Sequence, residues 1–200
     1  LERRDSSRLL VTDRRTDTVS HRHFSDLPEY LHEGDCLVLN NSRVIPARLM
    51  GLAEGRTPPI EVVLLNDRGG GLWECLTRPG KKTREGVKLS FGDGLLTGQV
   101  ESVNPADGNR MIRFQYDGVF LELLERLGSM PLPPYIKAKL DDPERYQTVY
   151  SKTPGSAAAP TAGLHFTDGL LDAIERKGVK LAYVTLHVGL GTFRPVKAEQ

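Results

Sequence analysis

The pattern of apolar and polar positions changes rhythm twice along the chain. Gly34-Asp35-Cys36-Leu37-Val38-Leu39-Asn40 is a short unbroken apolar run between polar turn residues, which predicts a buried strand. Asn40-Asn41-Ser42-Arg43 follows as a polar loop at its C-terminal end. From 47 to 116 the runs shorten and many alternate, as in Met111-Ile112-Arg113-Phe114-Gln115-Tyr116. Strands are expected at 47–52, 60–65, 72–77, 86–91, 97–103 and 110–116, separated by turns such as Asn66-Asp67-Arg68-Gly69-Gly70-Gly71 and Arg78-Pro79-Gly80. After 117 the period becomes helical. Phe120, Leu123, Leu124 and Leu127 share one face of a helix over 119–127, and Gly128 is placed to end it. A second helix is expected over 168–177, capped by Thr167, with Asp168 suited to its positive end and Gly178 following. Residues 180–188 read as another buried strand.

Strand and helix alternation thus brackets an all-β segment. The fold class this predicts is an α/β domain (residues 1–48 and 117–200) with an antiparallel β-barrel inserted into it (residues 49–116). No internal repeat is visible, and Ala157-Ala158-Ala159 is the single low-complexity tract.

Composition narrows the class. The 200 residues carry 27 Lys plus Arg and 26 Asp plus Glu, a net charge of +1, with 38% hydrophobic residues. Such a chain can bury a core, and neither intrinsic disorder nor a polycation fits it, though a local basic patch is still allowed. Cys36 and Cys75 both lie in apolar runs and read as buried free thiols in a reducing compartment, with a disulfide or zinc pair as the alternative. No CxxC or HExxH spacing occurs, so no metal is expected. No stretch approaches the ~18 apolar residues that span a bilayer, and no signal-peptide core follows the N-terminus. The expectation is a soluble, cytoplasmic protein. The chain starts without Met and stops mid-flow at Lys197-Ala198-Glu199-Gln200, which reads as a piece of a longer protein with its α/β part cut short.

Four places invite chemistry. Gly155 to Thr167 is rich in small residues, which let a ligand approach the backbone, and runs into a helix N-terminus, which favours an anion. His165 lies in that stretch as a candidate acid or base, with Thr161 and Gly163 beside it; a tightly packed connector with a core histidine is the alternative. The stretch Thr185 to Pro195 delivers His187 at a strand end, then Gly189, Gly191, Thr192 and Arg194, which suits a pocket lining or, alternatively, a glycine bulge. Arg43 and Arg48, beyond a buried strand, suit bidentate capture of a carboxylate or phosphate, or else surface ion pairs. Arg78, Lys81, Lys82 and Arg84 put four cations in one loop, a candidate contact for a phosphate backbone or a solvated turn. These features suggest an enzyme for a nucleotide-like or anionic ligand. An RNA-binding module built on the barrel, and a nucleotide hydrolase or transferase, are the competing classes; no GxSxG or P-loop signature supports the latter.

At these same places the sequence resembles the S-adenosylmethionine:tRNA ribosyltransferase-isomerases of queuosine biosynthesis. The resemblance rests on Arg4-Asp5-Ser6-Ser7-Arg8-Leu9-Leu10-Val11, on Leu39-Asn40-Asn41-Ser42-Arg43-Val44-Ile45-Pro46-Ala47-Arg48-Leu49, on Pro131-Leu132-Pro133-Pro134-Tyr135-Ile136 and on Arg145-Tyr146-Gln147-Thr148-Val149-Tyr150. It continues through Ala158-Ala159-Pro160-Thr161-Ala162-Gly163-Leu164-His165-Phe166 and Thr185-Leu186-His187-Val188-Gly189-Leu190-Gly191-Thr192-Phe193. These blocks follow family order over nearly the whole chain. Asn41-Ser42 stands where the family has Asp-Thr, which removes a carboxylate from a candidate pocket, and Pro58-Pro59 stands where it has glycines.

The resemblance implies a fold, a reaction and partners. The fold is an α/β domain with a β-barrel insertion, in chains longer at both ends. The reaction moves the ribosyl part of S-adenosylmethionine onto the aminomethyl-deazaguanine at the wobble position of a tRNA, with release of adenine and methionine, and rearranges it to give epoxyqueuosine. S-adenosylmethionine is then a co-substrate, and no tightly bound cofactor is expected. The partners are that tRNA and S-adenosylmethionine, with no membrane, for a monomeric protein. Under this reading His165 and His187 divide the acid and base roles. Thr161, Gly163, Gly189, Gly191, Thr192 and Arg194 line or orient substrate. Arg43 and Arg48 hold the methionine carboxylate or a tRNA phosphate, and Arg78, Lys81, Lys82 and Arg84 contact the tRNA backbone.

Overall fold

The alternation between 47 and 116 becomes a closed antiparallel barrel. The computed structural model describes residues 3–54, 56–132, 136 and 142–189. In chain order its regular elements are β1 (Arg8–Asp13), β2 (Thr18–His23), β3 (Cys36–Asn40), β4 (Ser42–Val44), β5 (Arg48–Ala53), β6 (Arg56–Asp67), β7 (Leu72–Arg78), β8 (Lys88–Phe91), β9 (Leu96–Val103), β10 (Arg110–Tyr116), α1 (Phe120–Leu127), β11 (Gly128–Ser129), β12 (Thr153–Ser156), α2 (Asp168–Arg176) and β13 (Lys180–Val184). Short 3-10 turns fall between them.

Barrel strands pair in the order β5-β6-β7-β10-β9-β8, and β8 closes back on β5 through Leu52 and Ala53. The short β11 adds to β5. Every second residue faces inward: Ile60, Val62 and Leu64 on β6, Trp73 and Cys75 on β7, Leu89 and Phe91 on β8, Ile112 and Phe114 on β10. Full burial of each such aliphatic side chain stabilises by about 1.5–3 kcal/mol. Leu124 of α1 is fully buried in this core, with Phe120 and Leu127 packed against it. The expected boundary at 116/117 therefore falls inside the barrel's own packing, because the apolar face of the next helix belongs to it. Gly128 ends α1 with φ −92° rather than in a left-handed conformation. Its smallness serves another need: a Cβ there would run into the carbonyl of Pro46.

The described residues form two compact units. One lies within Leu1–Arg43, Leu140–Pro154 and Ala159–Leu186, the other within Val44–Lys139, Gly155–Ala158 and His187–Gln200. The second holds the barrel. The first holds the β1–β2 hairpin and the parallel pair β3–β13, with Leu37 opposite Leu181 and Leu39 opposite Tyr183. Parallel strands need a crossover connection, and α2 precedes β13 in that role, with the barrel inserted earlier in the same connection. α2 starts on the Thr167 hydroxyl, which accepts the Leu170 N–H at 3.2 Å. It stops at Gly178 (φ +85°), where the Gly178 and Val179 N–H groups bond back to Glu175 and Ile174. Its face of Leu170, Leu171 and Ile174 packs with Phe24, Leu39, Phe166 and Val179.

Two sequence expectations need correction here. β3 is covered on one face: Leu39 is buried, but Val38 is 59% exposed and Cys36 is an exposed free thiol. Unbroken apolar character does not guarantee two covered faces. Cys75 is fully buried, and burial pushes its thiol well above the usual range. The last strand ends at Val184 rather than 188 and is not buried, with Tyr183 48% and Val184 40% exposed. No helix among the described residues is long and apolar enough to cross a membrane.

Candidate active site

The N-terminal motif ties the first unit together. Arg4, in the turn Arg4–Ser6, donates from its guanidinium to the carbonyls of Gln147 at 2.5 Å and Glu144 at 2.8 Å, with Leu164 at 3.5 Å. Ser7 accepts the Phe24 N–H on its carbonyl at 2.8 Å. His165 closes the 3-10 turn Thr161–His165, half-buried, with Nδ1 3.0 Å from the Ser7 hydroxyl oxygen. Its ring lies against Phe24 at a centroid distance of 5.1 Å, and Phe24 meets Phe166 edge-on at 4.9 Å. Imidazole is thus fixed through one nitrogen and by a tilted aromatic contact, and no hydrogen bond among the described residues engages Nε2.

Thr161 is exposed at the start of that turn, whereas Gly163 is buried within it. The space beside the Gly163 Cα is filled from within the unit by the Tyr150 hydroxyl and by the Thr148 methyl, 2.9 Å from where a Cβ would stand. Tyr150 packs against Phe166 and Tyr183, at centroid distances of 6.1 and 5.9 Å. Burial pushes its phenol up to about 12, with the neighbouring Tyr183 adding to the shift.

Beyond the C-terminal ends of β3 and β13 the polar groups converge, where ligands bind in open α/β sheets. Asn40 accepts the Ser42 and Leu186 N–H groups on Oδ1, each at 3.1 Å, and donates to the Leu186 carbonyl at 2.8 Å. Asn41 donates its N–H to Val184 at 2.9 Å and accepts the Thr185 hydroxyl on Oδ1 at 2.7 Å. Aspartate at 41 would accept the same hydroxyl and add a charge; the amide keeps the bond without it. Arg43 gives both terminal nitrogens to the Glu144 carboxylate, and Nη1 also meets the Ser151 hydroxyl at 3.0 Å. The fork that suits an anionic ligand is filled here by a carboxylate of the chain itself.

In the second unit His187 is exposed, and its ring lies against the backbone of Gly155, whose Cβ would stand 2.5 Å from Cε1. Gly155 also has φ +146°, a conformation that favours glycine. The segment after His187 is anchored: Val188 donates its N–H to the Ser156 hydroxyl at 2.8 Å and accepts from Ala157 and Ala158 at 3.0 and 3.1 Å. Gly189 has open space where a Cβ would stand. Arg48 on β5 is half-buried, and its Nε is out of water with no hydrogen-bond partner among the described residues.

The cationic loop belongs to the barrel. Arg78, Lys81, Lys82 and Arg84 are exposed around the turn Gly80–Lys82. Underneath, Thr83 is fully buried, its hydroxyl bonded to Thr77 at 2.6 Å and to the Gly80 carbonyl at 3.0 Å. Arg110 donates to the carbonyls of Gly80 at 2.6 Å, Thr83 at 3.3 Å and Gly108. These bonds set the backbone that carries the cations.

The structure thus groups His165, Thr161, Gly163 and Arg43 in the first unit. It places His187, Gly189, Arg48 and the loop cations in the second. Gly191, Thr192 and Arg194 lie outside the described residues. Side chains that spacing did not single out are Ser7, Phe24, Glu144 and Tyr150. Ser7 and Tyr150 stand in family-like words of the sequence, which was the available signal. Ala157, Ala158 and Ala159 are buried at 4% exposure or less, so their smallness serves packing.

A family model described as queuosine biosynthesis protein matches residues 1–200. The chain is 58% identical over 199 residues to an S-adenosylmethionine:tRNA ribosyltransferase-isomerase of Acetivibrio thermocellus, covering all of this chain and 58% of that protein. It is 35% identical to the S-adenosylmethionine tRNA ribosyltransferase of Thermotoga maritima, known from a crystal structure, covering 94% of this chain and 53% of that one with a TM-score of 0.37. The chain therefore spans between half and three-fifths of the length of these relatives. Matched from end to end, the chain belongs to the queuosine biosynthesis protein family.

Proposed function

We propose that the protein containing this chain is an S-adenosylmethionine:tRNA ribosyltransferase-isomerase. It transfers the ribosyl moiety of S-adenosylmethionine to the aminomethyl-deazaguanine at the tRNA wobble position and rearranges it to epoxyqueuosine, releasing adenine and methionine. The observation that carries this reading is the 58% identity, over 199 residues, to a relative bearing that name. S-adenosylmethionine is consumed as co-substrate, and no tightly held cofactor is part of the proposal. The protein acts in the cytoplasm, as a monomer, on tRNA bearing the queuosine precursor.

Local chemistry supports the reading. The sulfonium acidifies the carbon beside it, and removal of that proton needs a base near neutral pH, a role suited to imidazole. Departing adenine needs a proton from a second group. His165 and His187 divide these roles. His165 offers Nε2 from a ring held at Nδ1 by Ser7. Thr161, Gly189, Gly191, Thr192 and Arg194 line the path of the substrate. Arg43 and Arg48 face the methionine carboxylate or a tRNA phosphate, Arg43 after exchanging Glu144 for the ligand. Arg78, Lys81, Lys82 and Arg84 follow the tRNA backbone.

The test is direct. Full-length enzyme is incubated with S-adenosylmethionine and tRNA carrying the aminomethyl base, and free adenine is measured. Adenine should appear in step with modified tRNA, and should not appear with tRNA lacking the base. Tight tRNA binding without adenine release would replace this reading with that of an RNA-binding module.

A further inference from the structure

Ser7 and His165 lie 158 residues apart in the chain, yet the hydroxyl oxygen of one is 3.0 Å from Nδ1 of the other. Both partners are held by further contacts. Ser7 is fixed by the Phe24 N–H on its carbonyl, and by Arg4, three residues before it, whose guanidinium is tied to the carbonyls of Gln147 and Glu144. His165 is fixed by its turn and by the Phe24 ring at 5.1 Å. Phe24 therefore supplies a backbone tie to the serine and a tilted aromatic neighbour to the imidazole.

We infer that Ser7 is the positioning residue for His165: it holds the ring by Nδ1, so that Nε2 is the atom that exchanges a proton with substrate. This rests on the assignment of His165 under the proposed function and goes beyond it by naming the group that sets the imidazole's working nitrogen. The chemistry suits the task. A hydroxyl has one donor and two acceptor sites, so it accepts from Nδ1–H and donates to a bare Nδ1 equally well. What Nδ1 bonds to decides which nitrogen is left for catalysis. As a base, the ring takes a proton at Nε2 while Nδ1–H still donates to Ser7; as an acid, it returns that proton by the same atom. A carboxylate partner would favour imidazolium, whereas the neutral hydroxyl fixes direction and leaves the ring able to serve in either role.

The experiment uses the full-length enzyme, 15N-labelled in its histidine side chains, with the His165 resonances assigned by their loss in His165→Gln. Ser7→Ala should move the Nδ1 resonance of His165 and lower kcat about 10- to 100-fold with KM little changed, part of the about 10²–10⁴-fold that acid–base catalysis supplies. Ser7→Thr, which keeps the hydroxyl, should restore both. If Ser7→Ala does not fold, Ser7→Cys, a weak hydrogen-bonding group of similar size, is read the same way. An unmoved Nδ1 resonance in the altered enzyme overturns the inference, and so does a kcat unchanged when that resonance has moved. An enzyme that releases no adenine under any condition overturns the proposed function instead, and the nitrogen resonance then still decides whether Ser7 holds the ring.

Discussion

The Tyr150 hydroxyl stands where a side chain on Gly163 would begin. Gly163 is buried in the turn that carries His165, so its missing Cβ is space that the tyrosine uses. Gly163→Ala should displace that ring and cost about 1–3 kcal/mol, the range for overpacking a filled site. Adding Tyr150→Phe removes the clashing oxygen and should recover part of the loss. Urea midpoints of the single and double variants measure both effects. Equal losses in the two would mean that the hydroxyl is not the obstacle.

Tyr150 also makes stability depend on alkaline pH. Its phenol is pushed up from 10 to about 12 by burial, so the unfolded chain gives up that proton first. The stability it contributes is present below about 10 and is lost as pH rises toward 12. Wild type should lose stability over that window more steeply than Tyr150→Phe. The difference between their midpoint-against-pH curves isolates the residue from the other groups that titrate there.

Which of these relationships was readable in advance follows from their range in sequence. The barrel strands were legible because a two-residue period, as in Ile60, Val62 and Leu64, repeats between Gly-rich turns. The β1–β2 hairpin was not, because Thr18-Val19-Ser20-His21-Arg22-His23 has one apolar residue and so no period; its pairing with β1 supplies the order. Cys36 was misplaced because a local run cannot say whether its second face is covered. At the site, His165 stood out beside small residues, but the reason for their smallness was legible only in space. Gly163 accommodates Tyr150, and Ala158 is buried. Ser7 and Glu144 reach their partners across more than a hundred residues, beyond any spacing argument.

Glu74 gives the barrel an acid-sensitive tie. Hydrogen bonds from Asn66, Asn109 and Arg68 hold its carboxyl below the ordinary 4.5. The unfolded chain therefore takes up that proton first as pH falls. The contribution is complete above about 4.5 and is lost as pH drops through the lower folded value. Hydrogen bonds to a charged group are worth about 1.5–3 kcal/mol, so Asn109→Ala should destabilise on that scale at neutral pH. Glu74→Gln should show a flatter acid limb in guanidinium melts, and a limb as steep as wild type would discharge Glu74 from the role.

Arg110 shapes the cationic loop proposed to contact tRNA. Removing Lys81, Lys82 and Arg84 together should lower the slope of log affinity against log salt by about 2–3, near the 0.7–0.9 expected per phosphate contact. Arg110→Met removes the guanidinium that ties the Gly80, Thr83 and Gly108 carbonyls together. It should weaken tRNA binding while changing the slope by less than about 1, since the contact charges remain. Filter binding of the full-length enzyme to tRNA over a salt series reads both. An unchanged slope in the triple variant removes the loop from the interface.

Arg43 and Glu144 set up a competition that one substitution resolves. Both side chains are partly exposed, at 33% and 61%, and such pairs contribute about 0.2–1 kcal/mol. Stability alone is thus a weak reason for the contact. If the guanidinium fork is the seat of a substrate carboxylate or phosphate, Glu144 is its stand-in and must leave when the ligand arrives. Glu144→Gln removes the competing charge and should tighten binding of S-adenosylmethionine or tRNA several-fold, with little change in melting temperature. Arg43→Gln should weaken the same ligand, and in the double variant the gain from Glu144→Gln should vanish, because the fork it frees is gone. Calorimetric titration of each ligand into the four proteins tells which one uses Arg43. If neither ligand responds to either substitution, the pair is a strut between β4 and the 143–146 turn, and the anion is held elsewhere.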